Sequence, residues 1–460
     1  MRFLLSVALL AAPVLAADSL DGIWRTEGYG LVFEIRGAKL KAFEVTEATC
    51  LPGFSADRDA ASATGRDATF RTSDSDVYFV RAGGSGDHRL LHSEGAASDM
   101  RIDRIATIPA ACSQPAVDTP QGNFDVFART WAENYISFDL KHADWAKIVA
   151  DHRAQVTAET SPKRLFDILE DMIMPFGDAH TSIDAPKLKR DFDGLRPGTD
   201  RVIVELDGQP DEDLFRKSGM PKLLAIIDEH YLQELPRKFC NDKLQYGHID
   251  DTTGYLRILT FWGYARERGF ATGRAALETA LDEIFSDPKL KALVIDVRIN
   301  FGGADPYGLE IASRLATGEY LAYTKEARSD PTVHDRWTPG DPSVVRPSSR
   351  PGFRGPVVLL TGPLTISAAE TFTQALMGRT PHITRLGENT QGVFSDVLVR
   401  HLPNGWIFGL PNEVYRTPEG KTFDGPGIPP DKIVPVFPTS DITARKDSGI
   451  VAAIEILRAR

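Results

Sequence analysis

The sequence predicts an α/β core preceded by a helical segment and a smaller all-β region. Three observations carry this. Residues 19–112 alternate polar and apolar side chains in short runs broken by glycine and charge, the period of half-buried strands. Beyond Phe124 the apolar spacing changes to three and four, the period of helices. From Tyr255 onward, apolar runs (YLRILT, ALVIDV, PVVLL) alternate with helical stretches at 272–285, at 308–315 and after Ser367. Strand–helix alternation of this kind implies parallel pairing with right-handed crossovers.

In chain order, residues 1–16 read as a secretory signal peptide. Arg2 gives a positive start, 3–15 is almost wholly apolar, and Val14 and Ala16 are small residues suited to a cleavage site. The run is too short to cross a bilayer, and no later stretch reaches the ~18 apolar residues of a span. An exported protein without a stable membrane span is expected, periplasmic or secreted. The short, Ala/Leu-rich signal favours a bacterial periplasm. Residues 17–115 form the β-rich region, a meander closing into a small barrel or a sandwich. Cys50 and Cys112 flank it and are the expected disulfide, which would stabilise by roughly 4 kcal/mol in the chain-entropy account. Cys240 is then left as a buried thiol. A Pro-rich linker at 109–122 leads into a helical segment, 116–186, with helices near 124–135, 145–152 and 165–172. It ends at PFGDAHTSI, where Gly177 breaks the helix and His180 lies in a turn. Residues 187–250 are the least legible part; RVIVEL there is expected as a strand and 220–235 as a helix. Residues 251–460 form the α/β core, ending in strands at 397–401 and 406–410 and a helix over 441–458.

At 460 residues the chain suggests two or three domains, and 42% hydrophobic with 25% charged residues is a globular composition. A formal charge of −11 argues against nucleic acid or an anionic membrane as the main partner.

Four stretches could carry chemistry. TGPLTISAAETF follows the run PVVLL and is predicted to be strand, tight turn and helix, with Ser367 at or near the first helical position. The first N–H groups of a helix lack partners and carry partial positive charge, so a serine oxygen or an oxyanion is stabilised there. Ser367 and Glu370 also form S-x-x-E, a capping box that explains the local pattern structurally. DVRINFGG leaves the strand ALVIDV with Gly302 and Gly303, which permit close backbone approach to a ligand or simply a tight turn. His180 has the pKa of a general base, although a lone histidine is more often a turn or core residue. Asp424, in DGPGIPPD, can orient a histidine or cap its turn. H-E-x-x-H, C-x-x-C, G-x-G-x-x-G, the P-loop and G-x-S-x-G are all missing, so no metal or cofactor is expected.

Taken in order, DVRINFGG, TISAAETF, GENTQG and DGPGIPPD resemble the tail-specific (C-terminal-processing) serine peptidases. FGDAHTS, after a helical segment containing Tyr135 and Asp144–Trp145, is similar to the branch of the tricorn core and the interphotoreceptor retinoid-binding protein. The likeness covers roughly residues 120–435. It implies a ClpP/crotonase-like α/β core and a metal-free serine peptidase acting on a peptide or unfolded protein. Ser367 matches the nucleophile and His180 the general base. The N–H of Ala368, with one from Gly302 or Gly303, matches the oxyanion hole. Asp424 stands where the branch usually has a glutamate, one carbon longer. The tail-specific branch uses a lysine base downstream of the serine, whereas 388–396 here is ENTQGVFSD and has none. Nor does 187–250 show the carboxylate-binding pattern of a PDZ domain. The opposing expectation is a catalytically inactive binding protein for a hydrophobic small ligand on the same fold, as architecture does not dictate catalysis.

Overall fold

The computed structural model describes residues 19–62, 67–84, 86–114, 116–196, 198–209, 211–330, 333 and 335–459. The secretory signal expected at 1–16 lies outside them.

The β-rich region is a closed barrel. Eight strands, from Gly22–Thr26 to Met100–Ile105, run up and down, each antiparallel to the next. The last pairs with the first in the register Ile23↔Ile105 to Thr26↔Ile102. Closure removes both sheet edges. The alternation seen in the sequence puts Trp24, Phe33, Phe70, Val80, Leu91 and Ile102 inside. Cys50 and Cys112 are bonded, which ties the exit of the barrel to its fourth strand.

Three helices follow, Pro120–Asn134, Trp145–Arg153 and Pro162–Ile173. Each starts where the sequence supplies a cap: Thr119, Asp144 and Ser161 accept from the amides of Gly122, Lys147 and Arg164. Their apolar faces meet in an aromatic cluster of Trp131, Tyr135, Phe138, Trp145 and Phe176. Gly177, at φ 52°, turns the chain out of this cluster toward His180 and the strand Ser182–Ala185.

The core is a seven-stranded sheet, parallel from Thr253–Ile258 through Ala292–Asp296, Val357–Thr361 and Thr384–Gly387 to Lys432–Ile433. Helices Phe270–Phe285, Asp305–Leu315 and Ala368–Met377 cover one face, and Met220–His230 and Ser448–Arg458 pack on the other. A second sheet of four strands pairs Ser182–Ala185 with Ile407–Pro411, and the latter with Val397–His401.

Three elements differ from the sequence expectation. RVIVEL is not a strand but lies in the helix Asp200–Asp207, burying Val202 and Ile203 on one side and stopping at Gly208. An apolar run this short fits either period, and tertiary packing decides. The core sheet starts before residue 251, since Arg237–Phe239 and Leu244–His248 form its antiparallel edge. The last helical stretch is two helices, Thr439–Thr443 and Ser448–Arg458, the second begun by Asp447 accepting from the Ile450 amide.

Candidate active site

Ser367 sits at the junction of strand and helix, immediately before Ala368–Met377, with φ 55° and ψ −119°. A non-glycine residue in this region carries local strain that the surrounding packing must hold. The turn packs tightly against the glycine pair. A Cβ on Gly302 would lie 2.7 Å from Ser367 Cβ and 3.2 Å from its Oγ, and Gly302 itself has φ 87°. Only glycine fits there. A Cβ on Gly303 would collide with the backbone of Phe261 at 2.3 Å.

The two glycine amides are not equivalent. Gly302 N–H donates to the buried Asn300 Oδ1 at 3.0 Å, and Asn300 in turn donates to the Ile258 carbonyl. Among the described residues, the N–H groups of Gly303 and Ala368 have no hydrogen-bond acceptor. Ala368 follows the serine directly, and Gly303 follows Gly302, which packs against it. Asn300 carried no signal in the sequence beyond its place ahead of the glycines.

Glu370 is fully buried beneath the serine turn. Its carboxylate accepts from Ser367 N–H at 3.3 Å, Val393 N–H at 2.8 Å, Gly392 N–H at 2.6 Å and Thr390 Oγ1 at 2.6 Å. Burial raises its pKa to about 7 against the pull of these donors. The capping-box spacing marked this residue, but not its second role of fastening the segment 390–393 to the helix.

That segment continues the site. Phe394 N–H donates to Asp424 Oδ1 at 3.3 Å, and Ser395 Oγ accepts from the amides of Asn412 and Glu413. Asp424 is pushed up to about 7 by burial and by Asp178 beside it. Asp178 accepts from Tyr135 Oη at 3.1 Å and from the His180 amide at 3.0 Å. His180 Nδ1 is buried and makes no hydrogen bond. Burial lowers the His180 pKa, opposed by the negative charges of Asp178 and Asp396. Among the described residues no hydrogen bond joins the imidazole to Ser367 or to Asp424. Thus Ser367, Ala368, Gly302 and Gly303 form one compact group, while His180 and Asp424 meet through Asp178.

An open cavity of about 290 Å³ adjoins the glycine turn, lined by Gly303, Ala304, Asp305, Asp396, Val397, Trp262 and the barrel residues Gly95, Ala96 and Ala97. No group of His, Cys, Asp and Glu suited to a metal ion occurs among the described residues. No described helix is long and apolar enough to cross a membrane.

A serine at a helix start, pressed against a glycine turn on a parallel α/β sheet, places the core in the ClpP/crotonase-like class. Within the chain, residues 252–434 match peptidase family S41, and residues 117–174 match the tricorn protease C1 domain. The chain is 26% identical over 221 residues to the carboxy-terminal-processing protease of Bartonella bacilliformis, covering 47% of this chain and 48% of that one. It is 26% identical over 182 residues to the chloroplastic carboxyl-terminal-processing peptidase 2 of Arabidopsis thaliana, covering 40% and 32%. The match thus spans half or less of these curated relatives. Among solved structures, one from Parabacteroides merdae superposes with a TM-score of 0.60 at 24% identity, covering 74% of this chain and 97% of that one. Mature CPAF gives 0.53 at 13% identity, with the same coverage of 74% and 97%. Both show likeness of fold.

Proposed function

We propose that this chain is an exported serine peptidase, periplasmic or secreted, that hydrolyses peptide bonds in peptides or unfolded proteins through an acyl-enzyme on Ser367. The observation that carries the reading is the strained serine at a helix start, packed against Gly302, with acceptor-free amides on the residue after each, Ala368 and Gly303. Those two amides form the oxyanion hole, and a donor of this kind is worth roughly 3–4 kcal/mol in the transition state. Gly302 contributes by lacking a side chain rather than by its N–H, which Asn300 holds.

In this mechanism His180 takes the Ser367 proton as Oγ attacks the carbonyl carbon. The resulting oxyanion is held by the two amides. His180 then gives the proton to the leaving amine, and water resolves the acyl-enzyme by the same steps. The depressed pKa of His180 keeps its imidazole neutral, and so a base, down to pH values below the ordinary 6.5. Asp178 favours the imidazolium that forms. Asp424 acts one step further out, bearing on Asp178 and holding the 394 backbone. The chemistry uses neither a metal nor a cofactor. Residues 187–250 lack the carboxylate-binding pattern of a PDZ domain, and internal cleavage of unfolded chains is the activity proposed.

The test is turnover of an unfolded protein and a mixed peptide library by the purified mature chain beside Ser367→Ala and His180→Ala. Loss of roughly 10⁴-fold or more in both variants supports the reading. Hydrolysis that persists in Ser367→Ala overturns it.

A further inference from the structure

A chain of buried polar groups runs from the barrel to both halves of the site. In the barrel, Tyr29 sits in a tight turn at φ 58°, and its hydroxyl donates to Glu413 Oε1 at 2.6 Å. Glu413 lies 3.2 Å from Lys325 Nζ, which donates to Asp396 Oδ2 at 2.7 Å. The Tyr415 hydroxyl stands between Asp396, 3.2 Å away, and Asp305, 3.1 Å away. Thr371, on the Ser367 helix, donates to the other oxygen of Asp305 at 2.7 Å. Asp305 begins the helix that follows Gly303 and Ala304. The far end of the chain, Asp396, lies at the end of the four-stranded sheet from which His180 also leaves. Pro411 pairs with Val397 on one side, and Gly409, two residues earlier on the same strand, pairs with Ser182 on the other. His180 and Asp396 therefore leave the same end of the four-stranded sheet, on either side of Pro411. The Tyr29 carbonyl also accepts from the buried Arg400 guanidinium, so the turn is held from both directions.

Such a network costs desolvation at every member, and a half-satisfied one costs more than an apolar core. Lys325 and Glu413 are almost fully buried, so Tyr29 supplies a contact that the core does not replace from its own residues. We propose that Asp396 is a positioning residue for His180, and that the barrel sets it by completing the network through Tyr29. The inference rests on His180 being the base. It gives the barrel a part in the chemistry: docked, it fixes the charge facing the imidazole.

The charged and titratable groups facing this chain are Asp178 and Asp396 at His180; Lys325, Glu413, Tyr415 and Asp305 at Asp396; and Tyr29 at Lys325. Asp396 favours the imidazolium, so removing its charge moves the His180 titration to lower pH. Losing the Tyr29 hydroxyl favours a protonated Glu413, which frees Lys325 to neutralise Asp396. The shift has the same sign and is smaller.

The experiment compares the full chain with Asp396→Asn, Asp396→Glu and Tyr29→Phe in two readouts. One is NMR titration of ¹³C-labelled histidine, with the His180 signal assigned by its loss in His180→Ala. The other is the rate of fluorophosphonate labelling against pH, with thermal melts confirming that each variant is folded. The proposal expects the His180 titration and the acid limb of labelling to move together to lower pH in Asp396→Asn. Plateau labelling should fall roughly tenfold there and recover in part in Asp396→Glu. Tyr29→Phe should move both readouts the same way by less. A folded Asp396→Asn that titrates and labels like wild type overturns the proposal. Movement in Asp396→Asn but none in Tyr29→Phe overturns the role of the barrel. If wild type does not label but His180 still responds to both variants, the serine reading fails and the coupling stands.

Discussion

The barrel and the serine site bury their residues in opposite ways. The barrel interior is filled with apolar side chains from alternate strand positions. The layer around Ser367 buries Asn300, Asp305, Lys325, Glu370 and Glu413, each below 8% exposed. Apolar burial stabilises by area and tolerates exchange of shape. A buried carboxylate is stable only while every donor around it stays in place. The contrast separates what holds the molecule together from what holds the site. A substitution in either region can unfold the protein, but only one in the polar layer should change chemistry at equal stability.

The largest effect should come from Gly302→Ala among substitutions that leave the reacting groups untouched. The added Cβ meets Ser367 Cβ at 2.7 Å, and the required φ of 87° is unfavourable for alanine. Fluorophosphonate labelling should drop by roughly 10²-fold, since small displacements of a nucleophile are costly. Wild-type labelling in this variant would show that the glycine is only a turn residue.

Next comes a matched pair. Phe70→Ala empties a fully buried barrel position and should cost about 3–5 kcal/mol in denaturant. Glu370→Ala strips four donors of their acceptor and should cost a similar amount. If the comparison holds, folded Phe70→Ala labels at the wild-type rate and folded Glu370→Ala scarcely labels. Equal labelling at equal stability would erase the distinction between the two regions.

A smaller effect lies in pH. Glu370 is raised from its ordinary value of 4.5 to about 7 by burial. Between these values the native chain keeps a proton that the unfolded chain has released. This group's contribution to stability is therefore lost as pH rises from about 4.5 to about 7. Denaturation of wild type and Glu370→Gln across that range should show a slope in the first that is shallower in the second. Identical slopes would mean that the donors, not burial, control the carboxyl.

The smallest effect should be that of Asp424→Asn. The amide can still accept from Phe394 N–H, and Asp178 remains under the His180 turn. Labelling should fall well short of the loss in His180→Ala. A loss as large as that of His180→Ala would give Asp424 the direct orienting role that the family resemblance implies.

Much of the molecule was legible from sequence because its signals are local. The 2.0 and 3.6 periods mark the barrel strands and the helices. Ser367, Gly302 and Gly303 stand out because strand–turn–helix and double-glycine patterns lie along the chain. RVIVEL misled because Val202 and Ile203 suit a strand or one face of a helix equally well. Asp396, Lys325 and Glu413 were invisible for a different reason. Their partners lie far away in sequence, and a lone charged residue gives no sign that it will be buried. Glu370 was half legible: the capping box is local, but its bonds to Thr390, Gly392 and Val393 are not.

The most direct test of the central claim is to map the adduct of a fluorophosphonate on the mature protein by intact mass and peptide sequencing. The account predicts a single adduct, on Ser367, that forms faster as pH rises through the titration of His180 and is not seen in His180→Ala. An adduct on another residue, or a folded wild type that takes none, would contradict it; the second result would point to the ligand-binding alternative, with Ser367 only a helix cap.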